Sequence, residues 1–255
     1  MERTIYRPIS KPRPDNGRMK YPDYGIFVAN LFPMAFFNPD FLQFFIDLAP
    51  NNNKDWFDEN RKRYELNIKE PFKQFVEHTI AKMATEEPAL KEIQAKDCIF
   101  RINRDIRFSK IKEPYKLNLS ALISPLGRKD HSYPGMYFEL GPEKVVVAGG
   151  AYQMDKDQLL QLREHIYKHS AKWNKAATEP EFVDSFGGLK GEENKRLPAP
   201  FMEASSKQPL LLKKQLYYWT ELDPSWVLNE KLDEELIRLH RAAAPVRNLL
   251  KDVFI

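Results

Sequence analysis

The chain has 255 residues, enough for one large domain or two small ones with a substantial core. Its 42% hydrophobic content, with 17 Phe, 11 Tyr and 4 Trp, excludes a disordered chain, and 10 Gly against 19 Pro exclude collagen. The single cysteine, Cys98, excludes an internal disulfide framework and a four-cysteine zinc site. The net charge of +4 permits an anionic partner without requiring one.

Residues 1–35 read as an extended arm, with Pro8, Pro12, Pro14 and Pro22 among basic residues. The apolar run at 25–37 is too short to span a bilayer, and Asn30 and Pro33 interrupt it. It also lacks the basic lead-in of a secretory signal, so the expected location is cytoplasmic, with no membrane association. Asn38-Pro39 opens a helix with Phe41, Leu42, Phe44, Phe45 and Leu48 on one face. A second helix starts near Asn53 and Asp55, and Pro71 opens a third carrying Phe72, Phe75, Val76, Ile80 and Met83.

The period then changes. Phe100, Ile102, Ile106 and Phe108 alternate with Arg101, Asn103, Asp105 and Arg107, which predicts a half-buried strand. Further strands are expected at 117–123, 136–140 and 144–148, the last two joined around Gly141-Pro142. Short connections favour an antiparallel sheet. Gly149-Gly150 reads as a bulge or tight turn. Asp155 caps a helix reaching about Trp173, and residues 184–209 form a long irregular excursion. A final helical stripe carries Leu232, Leu236, Leu239, Val246 and Leu250, with Pro245 expected to divide it. The fold class expected is α+β: a central, mainly antiparallel sheet of about four strands within 98–152, packed with N- and C-terminal helices. A single domain is expected over 36–255.

Candidate chemistry concentrates at 100–116. Arg101, Arg104, Arg107, Lys110, Lys112 and Lys116 gather there, with Tyr115 as a neutral donor, and arginine forks suit carboxylate or phosphate. Strand alternation projects Arg101, Asp105 and Arg107 to one side, whereas Arg104 takes the parity of the apolar residues. In a sheet, Asn118, Ser120, Tyr137 and Glu139 share that polar face, which offers Asp105 or Glu139 as weak candidates for a general base. Asn52, Asn53 and Trp56, together with Tyr137, are candidate pocket-lining residues, although a helix cap accounts for at least one of the asparagines. His165 and His169 stand four apart without an H-E-x-x-H motif, so no metal site is assigned, and no motif supports a cofactor. Cys98 reads as a buried thiol.

Several of these segments, taken together and in order, carry a resemblance. They are Asn51-Asn-Asn-Lys-Asp-Trp-Phe57 with Arg61 and Tyr64, Phe100-Arg-Ile-Asn-Arg-Asp-Ile-Arg-Phe-Ser109, and Lys112-Glu-Pro-Tyr-Lys116. Pro134-Gly-Met-Tyr-Phe138, Gly149-Gly-Ala-Tyr152, Leu162-Arg163 and Lys195-Arg-Leu-Pro198 follow. Over about residues 36–255 the chain resembles the Domain of Unknown Function 2461 family. The resemblance implies one α+β domain of a cytoplasmic protein and supplies no catalytic residue to transfer.

Three functions follow as expectations. The first is a protein, and potentially an enzyme, that binds a small phosphorylated or otherwise anionic ligand at Arg101 to Lys116. The second is a nucleic-acid-binding module using the same segment and the arm residues Arg3, Arg7, Lys11, Arg13, Arg18 and Lys20. The third is a protein-interaction role in which the Arg/Asp/Glu cluster is structural and Tyr217-Tyr-Trp219 forms an exposed patch.

Overall fold

A computed structural model describes residues 35–110, 112–129 and 133–254. The expected N-terminal arm lies outside the described residues apart from Ala35. Helices α1 (Asp40–Leu48), α2 (Lys54–Glu59), α3 (Arg61–Tyr64), α4 (Glu70–Met83) and α5 (Ala95–Cys98) precede strands β1 (Leu119–Ile123), β2 (Met136–Leu140) and β3 (Val145–Ala151). Then come α6 (Lys156–Lys168), α7 (Ser170–Ala177), α8 (Pro180–Phe186) and α9 (Phe201–Ala204). Strand β4 (Leu216–Leu222) and helices α10 (Leu232–Ala242) and α11 (Ala244–Phe254) complete the chain. The class is α+β, and the four strands form one antiparallel sheet in the order β1-β2-β3-β4.

Local chemistry accounts for most element boundaries. Asn53 caps α2 by accepting from Trp56 N at 3.0 Å, and Asp155 caps α6 through a reciprocal capping box with Gln158. Pro71 stands in the first turn of α4, as expected, and a π turn at Glu65–Lys69 joins α3 to it. Proline has no N–H to donate to the preceding turn, and a π turn absorbs that missing bond without breaking the rod. The helix from Asp155 ends earlier than expected, at His169, and resumes as α7. Pro245 sits in the first turn of α11, where its missing N–H costs nothing, and the stripe divides there as expected.

Two strand expectations are corrected. Residues 100–108 do not form a strand: only isolated bridges occur, Ile99 with Ala121 and Asn103 with Tyr115. The segment folds back on itself instead, with Arg104 N donating to Pro114 O at 2.8 Å and Lys116 N to Ile102 O at 2.9 Å. Phe108, placed on the apolar face by its alternation, is 94% exposed. The fourth strand is β4, whose run Leu216-Tyr-Tyr-Trp-Thr-Glu-Leu222 carries aromatic residues on both faces and so masks the period of two. Gly149 and Gly150 form neither a bulge nor a turn, but pair within β3 with Tyr218 and Tyr217.

The sheet has two unlike faces. Ala121, Ile123, Met136, Phe138, Leu140, Val145, Val147, Leu216 and Tyr218 point into the core. There Phe138 packs between Phe72 and Phe75 of α4, at 5.8 and 5.7 Å between ring centroids. Burying a phenylalanine this completely stabilises the fold by roughly 2–3 kcal/mol. The opposite face carries Leu122, Tyr137, Val146, Ala148, Tyr217 and Trp219, all half-buried. Both edges are covered: Phe100 N donates to Ser120 O at 2.9 Å beside β1, and Lys190 N donates to Tyr217 O at 2.7 Å beside β4. Among the described residues no helix is long and apolar enough to cross a membrane.

Candidate functional site

The half-buried sheet face forms the floor of a groove of about 390 Å³. Strand alternation builds this floor, because the cross-strand row Leu122–Tyr137–Ala148–Trp219 points away from the core. Phe100, Tyr133, Tyr152 and Tyr217 complete the aromatic walls. Small residues keep the floor open. A Cβ added at Gly150 would lie 2.6 Å from Tyr217 Cα, and Gly150 has φ +111°, a backbone conformation that favours glycine.

Cations sit against the walls. The Lys190 ammonium lies 4.4 Å from the Trp219 ring centre and that of Lys116 5.4 Å from Phe100, with Lys251 5.5 Å from Tyr133. Most are otherwise engaged: Lys190 donates to Trp219 O at 2.9 Å, and Lys251 pairs with Glu87 at 2.7 Å. Lys116 is the exception, since its ammonium has no hydrogen-bond or ion-pair partner among the described residues. Burial lowers its pKa, an effect opposed by Glu139 and reinforced by the charge of Arg101.

Tyr137, in the groove floor, reaches a carboxylate beside the groove. Its hydroxyl donates to Glu139 Oε2 at 3.0 Å, two residues along the same strand face. Burial pushes the Tyr137 phenol up to about 12; a hydrogen bond with Ser120 opposes that shift and Glu139 adds to it. Ser120 is directly across from Glu139 in the sheet register.

The other sequence candidates are distributed more widely. Asp105 accepts from Arg107 Nε at 2.9 Å and Nη2 at 2.7 Å, and this hydrogen bonding holds its carboxyl below the usual range. Arg104 approaches Glu113 at 3.5 Å, and Lys112 donates to Ile106 O at 3.1 Å. Lys110 is exposed. Tyr115 is buried and stacks on Phe57 at 4.1 Å, while Asn52 exchanges two 3.0 Å hydrogen bonds with its backbone. Asn53 is occupied as a cap, and Trp56 packs against Phe44 at 5.6 Å. Of the sequence candidates, the structure therefore brings Arg101, Lys116, Tyr137 and Glu139 into one neighbourhood and leaves Asp105 paired on the neighbouring loop.

Sequence reasoning missed Phe100, Tyr133, Tyr152, Tyr217 and Trp219 as groove residues. For the last two, aromatic residues on both faces of 216–222 hid the signal. His165 and His169 lie 4.6 Å apart ring to ring, and Trp173 Nε1 donates to His165 Nδ1 at 3.1 Å. No group of three or more His, Cys, Asp or Glu side chains among the described residues is arranged to hold a metal.

No curated protein and no solved structure matches the chain. The family model described as conserved hypothetical protein (DUF2461) matches residues 40–248, a span that includes the whole sheet and the groove. The chain belongs to the Domain of Unknown Function 2461 family.

Proposed function

We propose that the groove binds a small organic anion with a planar apolar body, the anion lying at Lys116 and Arg101 and the body against the aromatic walls. The observation that carries this reading is Lys116, an ammonium without an ion-pair partner among the described residues, held half-buried on the ring of Phe100, which lines the groove. A charge removed from water without a partner is unfavourable, and an arriving carboxylate or phosphate relieves that cost. A volume of about 390 Å³ suits a ligand with one or two rings. With Arg107 paired to Asp105 and Arg104 facing Glu113, the loop lysines Lys110 and Lys112 supply the net positive charge that draws an anion.

Titration of Trp219 fluorescence with phenyl phosphate, inorganic phosphate and phenol tests the reading. Phenyl phosphate is expected to bind at least tenfold tighter than either fragment, and Lys116→Gln to weaken it about tenfold in a variant that melts normally. Equal binding of inorganic phosphate, or no effect of Lys116→Gln, overturns it.

Phe108 favours a second reading. It is 94% exposed beside Arg107 and near Lys110 and Lys112, an arrangement suited to stacking on a base of single-stranded nucleic acid. That reading requires affinity for an oligonucleotide that falls steeply with salt and drops with Phe108→Ser.

A further inference from the structure

Beside the groove, Glu139 shares the strand face of the groove residue Tyr137 and the Lys116 ammonium sits over the groove residue Phe100, with no ion pair between them among the described residues. Glu139 accepts from Tyr137 through Oε2, and Oε1 has no partner among the described residues. Lys116 feels the charges of both Glu139 and Arg101, yet neither cation forms an ion pair with that carboxylate. Elsewhere the protein closes such approaches. Arg63 bonds Asp40 and Asp47, Lys144 pairs with Glu221, and Glu87 gathers Arg247 and Lys251. Lysine has four flexible methylenes, but the Lys116 ammonium sits over the Phe100 ring instead of pairing with Glu139.

A carboxylate and two cations held apart in this way complement a ligand that carries both signs on neighbouring atoms. We propose that the ligand of the groove is an aromatic α-amino acid. Its carboxylate meets Lys116 and Arg101, its ammonium donates to Glu139 Oε1, and its ring lies among Phe100, Tyr137, Tyr217 and Trp219. This inference rests on the groove reading and narrows it from an organic anion to a zwitterion. An ammonium bound by an ionised carboxylate makes a charge-assisted hydrogen bond, about twice as strong as a neutral one. The hydroxyl of Tyr137 holds the carboxylate in place, so little side-chain freedom is lost on binding.

Calorimetric titration of the full chain with L-phenylalanine, 3-phenylpropionate and 2-phenylethylamine tests it, because the three share a ring and differ only in their charges. L-Phenylalanine is expected to bind at least tenfold tighter than either analogue. Glu139→Gln should remove that advantage over 3-phenylpropionate while changing 3-phenylpropionate itself less than twofold. Equal binding of 3-phenylpropionate and L-phenylalanine by the unmodified chain overturns the zwitterion proposal and leaves the organic-anion reading standing. Binding of 2-phenylethylamine alone, or of none of the three, overturns the proposal, and phenyl phosphate binding then decides whether the groove reading survives. The comparison of ligands on the unmodified chain is decisive even where a variant fails to fold.

Discussion

Among the described carboxylates, Glu87 has the most basic side chains in ion-pair reach. It follows α4 and accepts from His240 of α10 at 2.8 Å and from Lys251 of α11 at 2.7 Å, with Arg247 Nε at 3.0 Å. Arg247 in turn donates to His240 O, and its charge acts on the hydroxyl of Tyr218, on the inner face of β4. Burial alone would raise the pKa of Glu87, but the hydrogen bonds from His240 and Lys251 and the charge of Arg247 bring it from the ordinary 4.5 to about 2. A folded pKa below the unfolded value means that the unfolded chain binds more protons, so this stability is present above pH 4.5 and is lost as pH falls toward 2. The shift corresponds to about 3 kcal/mol at neutral pH, of which more than half is gone by about pH 3. Glu87→Gln keeps the shape and removes the charge, leaving Arg247 buried without its counter-ion. Its expected cost is about 3 kcal/mol at pH 7, a fall in melting temperature of roughly 6–12 °C for a chain of this size. Urea unfolding of both proteins between pH 3 and 7 measures this. His240, held below its ordinary pKa chiefly by burial, weakens the fold as pH drops below 6.5, so the quantity to follow is the difference between wild type and variant. That difference should shrink below pH 4.5. A gap under about 1 kcal/mol at pH 7, or one that stays constant with pH, would refute the assignment of this energy to the Glu87 charge.

Two further expectations concern the sheet and its edge. A Cβ on Gly149 would lie 2.7 Å from Tyr218 Cζ and closer still to the hydroxyl, so Gly149→Ala must displace a fully buried ring. We expect a loss of about 2 kcal/mol in urea unfolding, and an unchanged midpoint would mean that Tyr218 has room to move. Cys98 is fully buried, and burial pushes its thiol up to about 11, so the thiolate is scarce at pH 8. A maleimide reagent should label it at least a hundredfold more slowly in buffer than in 6 M urea, and rapid labelling of the folded chain would contradict its placement.

The sequence alone determined the elements whose signals are local. Asn53 and Asp155 cap the helices expected of them, Pro245 divides the last stripe, and the alternation in 119–123 and 136–140 yields two strands. Family membership was likewise legible, because ordered motifs spread over most of the chain need no tertiary knowledge to be read. The sequence also marked Arg101, Lys116, Tyr137 and Glu139, although it placed Arg101 on a strand at 100–108 that does not form. Alternation at 100–108 matches a strand, but a strand needs a neighbour, and this segment pairs mainly with its own return at Asn103 and Tyr115. Only the tertiary structure decided which run took the fourth place in the sheet. It brought Tyr217 and Trp219, about 80 residues beyond Tyr137 in sequence, onto the same face as that tyrosine. The groove exists because helices cover one face of the sheet and leave the other to aromatic side chains, and that division depends on long-range packing that no local pattern encodes.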